Sequence, residues 1–402
     1  MGSSLALESA ERPQAFADRC AKARAGRGVV RILHFGDSHL AGEGSSQPFS
    51  HFFHTQYGDG GPGLGLPWVS PQPQVTAHAT PGWRKSRKAG GDKRMGLGAG
   101  YLETWRAGEV AALEGKFSRF RIYLLDDAAG GKVAVTVDGH PQGELDLLGP
   151  SGQMAMLARD LPPGLGSRRM EIRTTRGGLV RILGVALEGA SGAIYSPLAF
   201  NGARLSWTRA IPDGLFQAQM KAEAPDLVIL AFGTNEANEP EFSPDQYRRE
   251  LDATLARFEQ AAPRAALLLV GPPDGQLRQG TSGSLSSVIA IQKAAAEARG
   301  GLFVDQREAM GGPGSMESWF RQGWANRDRV HLSATGYQRL SGLVLAGLFA
   351  GTSQGGPGPK VAESVPESHT LFTFRKPDGG ILITDDPGKV QGQPGEWVRV
   401  MP

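Results

Sequence analysis

Val29-Val30-Arg31-Ile32-Leu33-His34-Phe35 runs directly into Gly36-Asp37-Ser38-His39-Leu40-Ala41-Gly42-Glu43-Gly44. The first seven residues are mostly β-branched or apolar and read as a buried strand. The chain then breaks into Gly, Asp and Ser. A small-residue turn after a buried strand can hold a hydroxyl at the carboxyl edge of a parallel sheet, where open α/β folds bind ligands. Ser38 is the candidate nucleophile, and the rest of the chain is read for its partners.

Working outward, residues 226–232 and 265–270 are continuous apolar runs, with a shorter one at 302–304. Helical patterns alternate with them: 204–224, interrupted by Pro212; 243–262, capped by Ser243; 285–299; and 333–349, capped by Ser333. Upstream, 5–27 reads as a leading helix, and 47–57 as a short helix after Ser45-Ser46 with Pro48 early in it. Buried strands separated by helices predict a mostly parallel sheet covered on both faces. The glycine-dense stretch 58–67 predicts a tightly packed loop without regular structure.

Between these α/β parts the pattern changes. Short alternating strands are predicted at 120–125, 132–137, 142–147, 154–161, 169–174 and 180–187, with turns such as Gly130-Gly131, Asp138-Gly139 and Gly177-Gly178. Turn signals at spacings of about 8–12 residues predict an inserted all-β, jelly-roll-like sandwich. The expected domains are 1–74 and 189–350 for the α/β part, 75–188 for the insertion, and 351–402 for a Gly/Pro/Ser linker with a small C-terminal β tail.

The 402 residues carry a net charge of +3 and are 40% hydrophobic. Basic residues are scattered, apart from Arg84-Lys85-Ser86-Arg87-Lys88, Lys93 and Arg94, which read as a solvated loop or a contact for an anionic polymer. No basic face interleaved with aromatics points to nucleic acid. The lone Cys20 excludes an internal disulfide and a cysteine metal cluster. No apolar run reaches the ~20 residues of a membrane-spanning helix. Met1-Gly2-Ser3-Ser4 looks like an expression leader, so a trimmed native export signal is expected. Oligomeric state is left open.

A nucleophilic serine needs a base, and the base needs a carboxylate to hold its tautomer. Asp328-Arg329-Val330-His331 places both before a capped helix, and His331 alone among the eight histidines has Asp three positions upstream. His39 is a poor base for an adjacent serine and reads as lining or packing; His34 reads as a satisfied core residue. Asn235, in Gly233-Thr234-Asn235-Glu236 after an apolar strand, can donate to an oxyanion. Gly202, in Phe200-Asn201-Gly202-Ala203, can offer its backbone N–H. Each of these segments, taken singly, is also an ordinary turn.

Together and in this order, Gly36-Asp37-Ser38, Gly202, Gly233-Thr234-Asn235 and Asp328-x-x-His331 resemble the four blocks of the SGNH, or GDSL-type, esterases. The resemblance covers the α/β part. It implies a flavodoxin-like three-layer fold on five parallel strands, with Ser38 as nucleophile, His331 as base and Asp328 orienting it. It also implies an oxyanion hole made of the Ser38 and Gly202 N–H groups and the Asn235 amide. No cofactor or metal is implied.

The His34–His39 form of the first block, the Tyr57–Gly63 loop, Phe200-Asn201-Gly202-Ala203, the Gly271-Pro272-Pro273-Asp274 turn and the insertion resemble bacterial peptidoglycan O-acetylesterases. In that group a carbohydrate-binding-like sandwich separates the first two blocks. This implies an acetylated glycan partner, peptidoglycan first, and a periplasmic or extracellular place in the cell envelope. Trp83 and Trp105, with Tyr101 and Tyr123, are candidates for stacking on sugar rings or for core packing. An acetylxylan-type esterase, a carbohydrate O-acetyltransferase and a non-catalytic glycan-binding protein are the competing readings. The tail, with Phe374–Gly380 and Thr384-Asp385-Asp386-Pro387, resembles a small bacterial envelope domain.

Overall fold

The computed structural model describes residues 2–66, 68, 74–87, 92–162, 164, 166–278, 282–350 and three strands between 372 and 398. Its centre is a five-stranded parallel sheet in the order Gly192–Ala199, Val29–Gly36, Leu227–Ala231, Ala266–Gly271, Leu302–Asp305. Numbered along the chain, that order is 2-1-3-4-5, the flavodoxin-like arrangement. Side chains alternate across it. Leu33, Phe35, Val228 and Leu230 enter one core with Phe216, Leu255 and Phe258 of the helices Asp213–Glu223 and Pro244–Ala261. Val30, Ile32, Leu227 and Ile229 enter the other with Phe16, Phe53 and Leu345 of Gly2–Arg24, Glu43–Tyr57 and Ala334–Ala350. Burial on both faces is why these strands read as continuous apolar runs.

The edge strand Gly192–Ala199 is not legible in the sequence, yet all eight of its residues are buried. Its outer position in the sheet tolerates Pro197. Two further expectations are corrected. The helix Glu43–Tyr57 starts four residues earlier than predicted, because Ser45 and Ser46 turn their hydroxyls back to the Gly42 carbonyl inside its first turn, leaving Pro48 in its interior. The glycine stretch contains a short strand, Gly63–Gly65, antiparallel to Val185–Leu187. Its glycines are dictated by contact: a Cβ on Gly60 would lie 2.7 Å from the Ala193 backbone.

The insertion is two antiparallel sheets. One holds Met154–Asp160, Arg119–Leu125, Val180–Glu188, Gly100–Thr104 and Arg84–Arg87 in that order, with Gly63–Gly65 beside Val180–Glu188; the other holds Thr76–Ala79, Val110–Gly115, Arg168–Arg176, Lys132–Val137 and His140–Asp146. Arg84–Arg87 is therefore a strand, not the expected loop; Lys88 lies outside the described residues. The inner faces meet in a core that includes Leu102, Ile122, Leu124, Val135, Ile172 and Ile182. The opposite face of the first sheet, with Tyr101, Tyr123, Leu125 and Leu183, joins the core of the α/β part. The insertion is thus packed onto the central fold within one compact unit, 1–358. The second unit, 359–402, holds a three-stranded antiparallel sheet of Ile381–Thr384, Phe372–Arg375 and Glu396–Val398. The predicted linker and both predicted tail turns lie outside the described residues.

Buried charges join the insertion to the central sheet. Glu188 receives two 2.9 Å hydrogen bonds from Arg31 and one of 2.5 Å from Arg121, which also reaches Glu223 at 3.2 Å. Tyr123 donates to Glu223. Burial alone would raise the Glu188 carboxyl, but the two guanidiniums hold it at about 2. Breaking a buried pair leaves the partner uncompensated. Arg121→Met is therefore expected to lower unfolding free energy by about 3–5 kcal/mol, measured by urea denaturation; a loss below about 1 kcal/mol would mean that Arg31 alone satisfies Glu188.

Candidate active site

The strand Val29–Gly36 ends in a turn that the Asp37 side chain organises. Asp37 Oδ1 accepts the His39 N–H at 2.9 Å, while the Asp37 carbonyl accepts from Leu40 and Ala41 at 3.1 Å each. Asp is favoured here because its carboxylate mimics a backbone turn acceptor. The turn leaves Ser38 half-buried at the carboxyl edge of the sheet.

His331 comes from the loop before the last helix. Asp328 Oδ1 accepts the Val330 and His331 N–H groups at 3.0 Å each, so the Asp-x-x-His spacing closes on itself. Between them Arg329 sits at φ +51°, a left-handed conformation uncommon for a non-glycine residue. It is held by Glu317 at 2.8 Å, by the Phe320 ring at 4.0 Å, and by the Gln276 N–H on its carbonyl at 2.8 Å. Ser333 caps the following helix, accepting from Gly336 N–H at 3.2 Å. Asp328 Oδ2 lies 2.7 Å from His331 Nδ1, and His331 Nε2 lies 2.8 Å from Ser38 Oγ. Burial would raise the Asp328 carboxyl, but hydrogen bonds from His331 and Val330 hold it at about 2. An ionised Asp328 favours the proton on Nδ1 and frees the Nε2 lone pair for the serine hydroxyl.

Asn235 opens the short helix Thr234–Ala237 after the strand Leu227–Ala231, where Gly233 at φ +132° makes the bend. Its Nδ2 donates to the Ala203 carbonyl at 2.8 Å and, more weakly, to Asp37 Oδ2 at 3.4 Å. The first bond draws the exposed Gly202 segment to the serine turn; Gly202 has φ +77°. Ser38, His331, Asp328, Asn235 and the Gly202 turn thus meet at one sheet edge.

The sequence carried no signal for the partners of two residues in this turn. Asp37 bridges Ser38's turn to Asn235. His39 lies with its ring centre 5.2 Å from that of His331 and its Nδ1 3.1 Å from Tyr337 Oη. Burial, then the neighbouring His331, keeps it neutral with a pKa near 3, which agrees with a lining rather than a basic role. Trp83 requires correction as a sugar contact: it is only 7% exposed and packs in the core between the two inserted sheets. Tyr101 lies buried under Arg181, and Tyr123 is bonded to Glu223. Trp105, at 56% exposure, is free to meet a ligand. Among the described residues no three His, Cys, Asp or Glu are arranged to hold a metal, and no helix is long and apolar enough to cross a membrane.

Comparison with known proteins follows the same lines. Residues 164–339 match the GDSL-like lipase/acylhydrolase family, a span that includes Gly202, Asn235, Asp328 and His331 and begins after Ser38. No curated protein matches the chain. A solved "Peptidoglycan O-acetylesterase in action" superposes with TM-score 0.69 at 25% identity, covering 82% of this chain and 93% of that one. A family two carbohydrate esterase from Clostridium thermocellum matches over 68% of this chain and 99% of its own, at 11% identity and TM-score 0.32, too distant to bear on the argument.

The Asp37 carboxyl is pushed up to about 7, chiefly by burial. Between its ordinary value near 4 and about 7 the folded protein keeps a proton that the unfolded chain has released. The stability it contributes is full below about pH 4 and is lost as pH rises through about 7. Asp37→Asn is expected to flatten the fall in Tm between about pH 5 and 8, leaving the part due to Glu236, also raised to about 7 by burial. An unchanged slope in thermal unfolding across that range would exclude Asp37 as a titrating group.

Proposed function

We propose that this chain, an esterase carrying a GDSL-like lipase/acylhydrolase domain, removes O-acetyl groups from a carbohydrate, with peptidoglycan as its substrate. The observation that carries the chemistry is the aligned Ser38–His331–Asp328 chain of 2.8 Å and 2.7 Å hydrogen bonds at the carboxyl edge of the sheet. The likeness to a peptidoglycan O-acetylesterase over 82% of the chain supports the substrate.

In this reading Ser38 Oγ attacks the acetyl carbonyl while His331 Nε2 takes its proton, and Asp328 stabilises the imidazolium. The tetrahedral oxyanion is held by the backbone N–H groups of Ser38 and Gly202 and by Asn235 Nδ2. Asn235 keeps its 2.8 Å bond to Ala203 and exchanges its weak 3.4 Å contact with Asp37 for the oxyanion. His331 then protonates the departing sugar oxygen, leaving acetyl-Ser38. Water, deprotonated by His331, attacks that ester; acetate leaves and the serine hydroxyl is restored. The inserted sandwich, residues 75–188, offers the glycan a second surface on which Trp105 is the exposed aromatic. In this reading the protein works in the periplasm or outside the cell.

A second reading, acetyl transfer to another sugar, is favoured by one feature: the Asp328 and His331 side chains remain 35% and 37% exposed, open enough for an acceptor alcohol. Acetate release measured with and without acceptor sugar separates the two.

Ser38→Ala and His331→Ala are expected to abolish aryl acetate cleavage while the far-UV spectrum stays unchanged; near-wild-type turnover in either would sink the triad. Asn235→Ala should lose on the order of 10²–10³ in kcat, and an unchanged rate would remove it from the hole. Acetate release from O-acetylated peptidoglycan is expected to exceed that from acetylated xylan, and the reverse order would overturn the substrate. Trp105→Ala should slow release from polymer but not from aryl acetate.

A further inference from the structure

Beside the turn that carries Ser38 lies a small pocket with about 30 Å³ of room for the centre of a water molecule. His34, Asp37, His39 and Thr234 help to line it; Ser38 and His331 do not. Three buried polar atoms of these residues have no hydrogen-bond partner in the protein: His34 Nε2, His39 Nε2 and Thr234 Oγ1. His34 is 2% exposed and Thr234 7%, so bulk solvent does not satisfy them. The expectation that His34 is a satisfied core residue is half right: its Nδ1 lies 2.8 Å from Tyr195 Oη, and its other nitrogen is unpaired. His39 repeats the arrangement, with Nδ1 3.1 Å from Tyr337 Oη.

Burial keeps both imidazoles neutral, each with a pKa near 3. A neutral imidazole has one N–H and one lone pair. In either tautomer each Nε2 is a buried donor or acceptor in need of a partner, and such groups are costly to leave unpaired. A water molecule can donate to one ring and accept from another, and a threonine hydroxyl can do either. The space suffices as well: the centre of a water molecule needs only about 10–15 Å³ of such room, and buried waters commonly make about three hydrogen bonds. The ligand geometry for a metal ion is not present among the described residues.

We propose that an ordered water occupies this pocket, bonded to His34 Nε2, His39 Nε2 and Thr234 Oγ1, and ties the turn carrying Ser38 to the turn carrying Asn235. His34 comes from the first strand and His39 follows the nucleophile. Thr234 precedes the oxyanion amide. Neither Ser38 nor His331 lines the pocket, so the water is a positioning element and not the water that hydrolyses the acyl-enzyme. Thr234 is accordingly a positioning residue.

The test is a pair of crystal structures, wild type and Thr234→Val, at a resolution that shows ordered water, with aryl acetate kinetics on both and on Thr234→Ser. The wild type is expected to show one water within hydrogen-bond reach of all three atoms. Thr234→Val, close in shape but lacking the hydroxyl, should lose or displace it and lower kcat about tenfold at unchanged KM. Thr234→Ser should keep the water and restore kcat. Absence of that water in the wild type, or the three atoms turned onto protein partners, would overturn the site. A Thr234→Val enzyme with wild-type kcat would overturn the tie between the turns. The kinetic arm rests on the esterase reading and the crystallographic arm does not, so an enzyme inactive on every ester would defeat that reading while leaving the water to be judged by its density.

Discussion

The 2.8 Å hydrogen bond from Ser38 Oγ to His331 Nε2 joins residues 293 positions apart. A contact that short across that much chain exists only if the sheet sets both ends. Gly36 is level with Ala199 on one side and with Ala231 on the other. Three strands therefore end in register, and the turns at 37–40, 200–203 and 233–235 leave the sheet side by side. A slip of one residue in the Leu227–Ala231 strand would send its core side chains to the opposite face. The same buried side chains that hold the strands in register thus hold Asn235 near Ser38.

That register survives an insertion of over a hundred residues between the first two strands of the sheet because the insertion is not tethered loosely. Its first sheet is covered on both faces, by its own partner sheet and by the α/β core. Val180–Glu188 is buried at every position, and its last residue, Glu188, closes on Arg31 of the strand that leads to Ser38. The chain returns from the sandwich directly into Gly192–Ala199, beside the strand it left. The insertion is in this way fixed relative to Ser38, at the cost of burying several charges that must all find partners.

Most of this was legible where burial is expressed in a strand's own residues. The runs at 29–35, 226–232 and 265–270 announce themselves because both faces are covered. Gly192–Ala199 does not, since Gly, Ser and Pro interrupt it and its strand character comes from its neighbours. Gly63–Gly65 and Arg84–Arg87 are strands only through their pairing partners. The Ser, Asn, Asp and His of the site could be read because each sits in a turn whose local composition is unusual. The side of a sheet that a lone aromatic faces has no such marker, which is why Trp83 and Trp105 looked alike and differ. Long-range bonds such as Asn235 to Asp37, and the strained Arg329 pinned by Glu317 and Phe320, leave no trace in local sequence.

The Asn235–Asp37 contact bears on how the oxyanion hole proposed for this site would rest without substrate. An amide with two N–H groups must place both. One is anchored at 2.8 Å on Ala203, a neutral carbonyl that does not change during the reaction. The other meets Asp37 at 3.4 Å, a contact long enough to yield to a closer acceptor. An ionised Asp37 would compete with a developing oxyanion for that proton and repel it at close range, whereas a neutral Asp37 would do neither. Burial, which raises Asp37 to about 7, moves it toward the neutral form. Asp37 accepts the His39 N–H in the turn that carries Ser38, and burial of its carboxyl favours the neutral form without removing that acceptor.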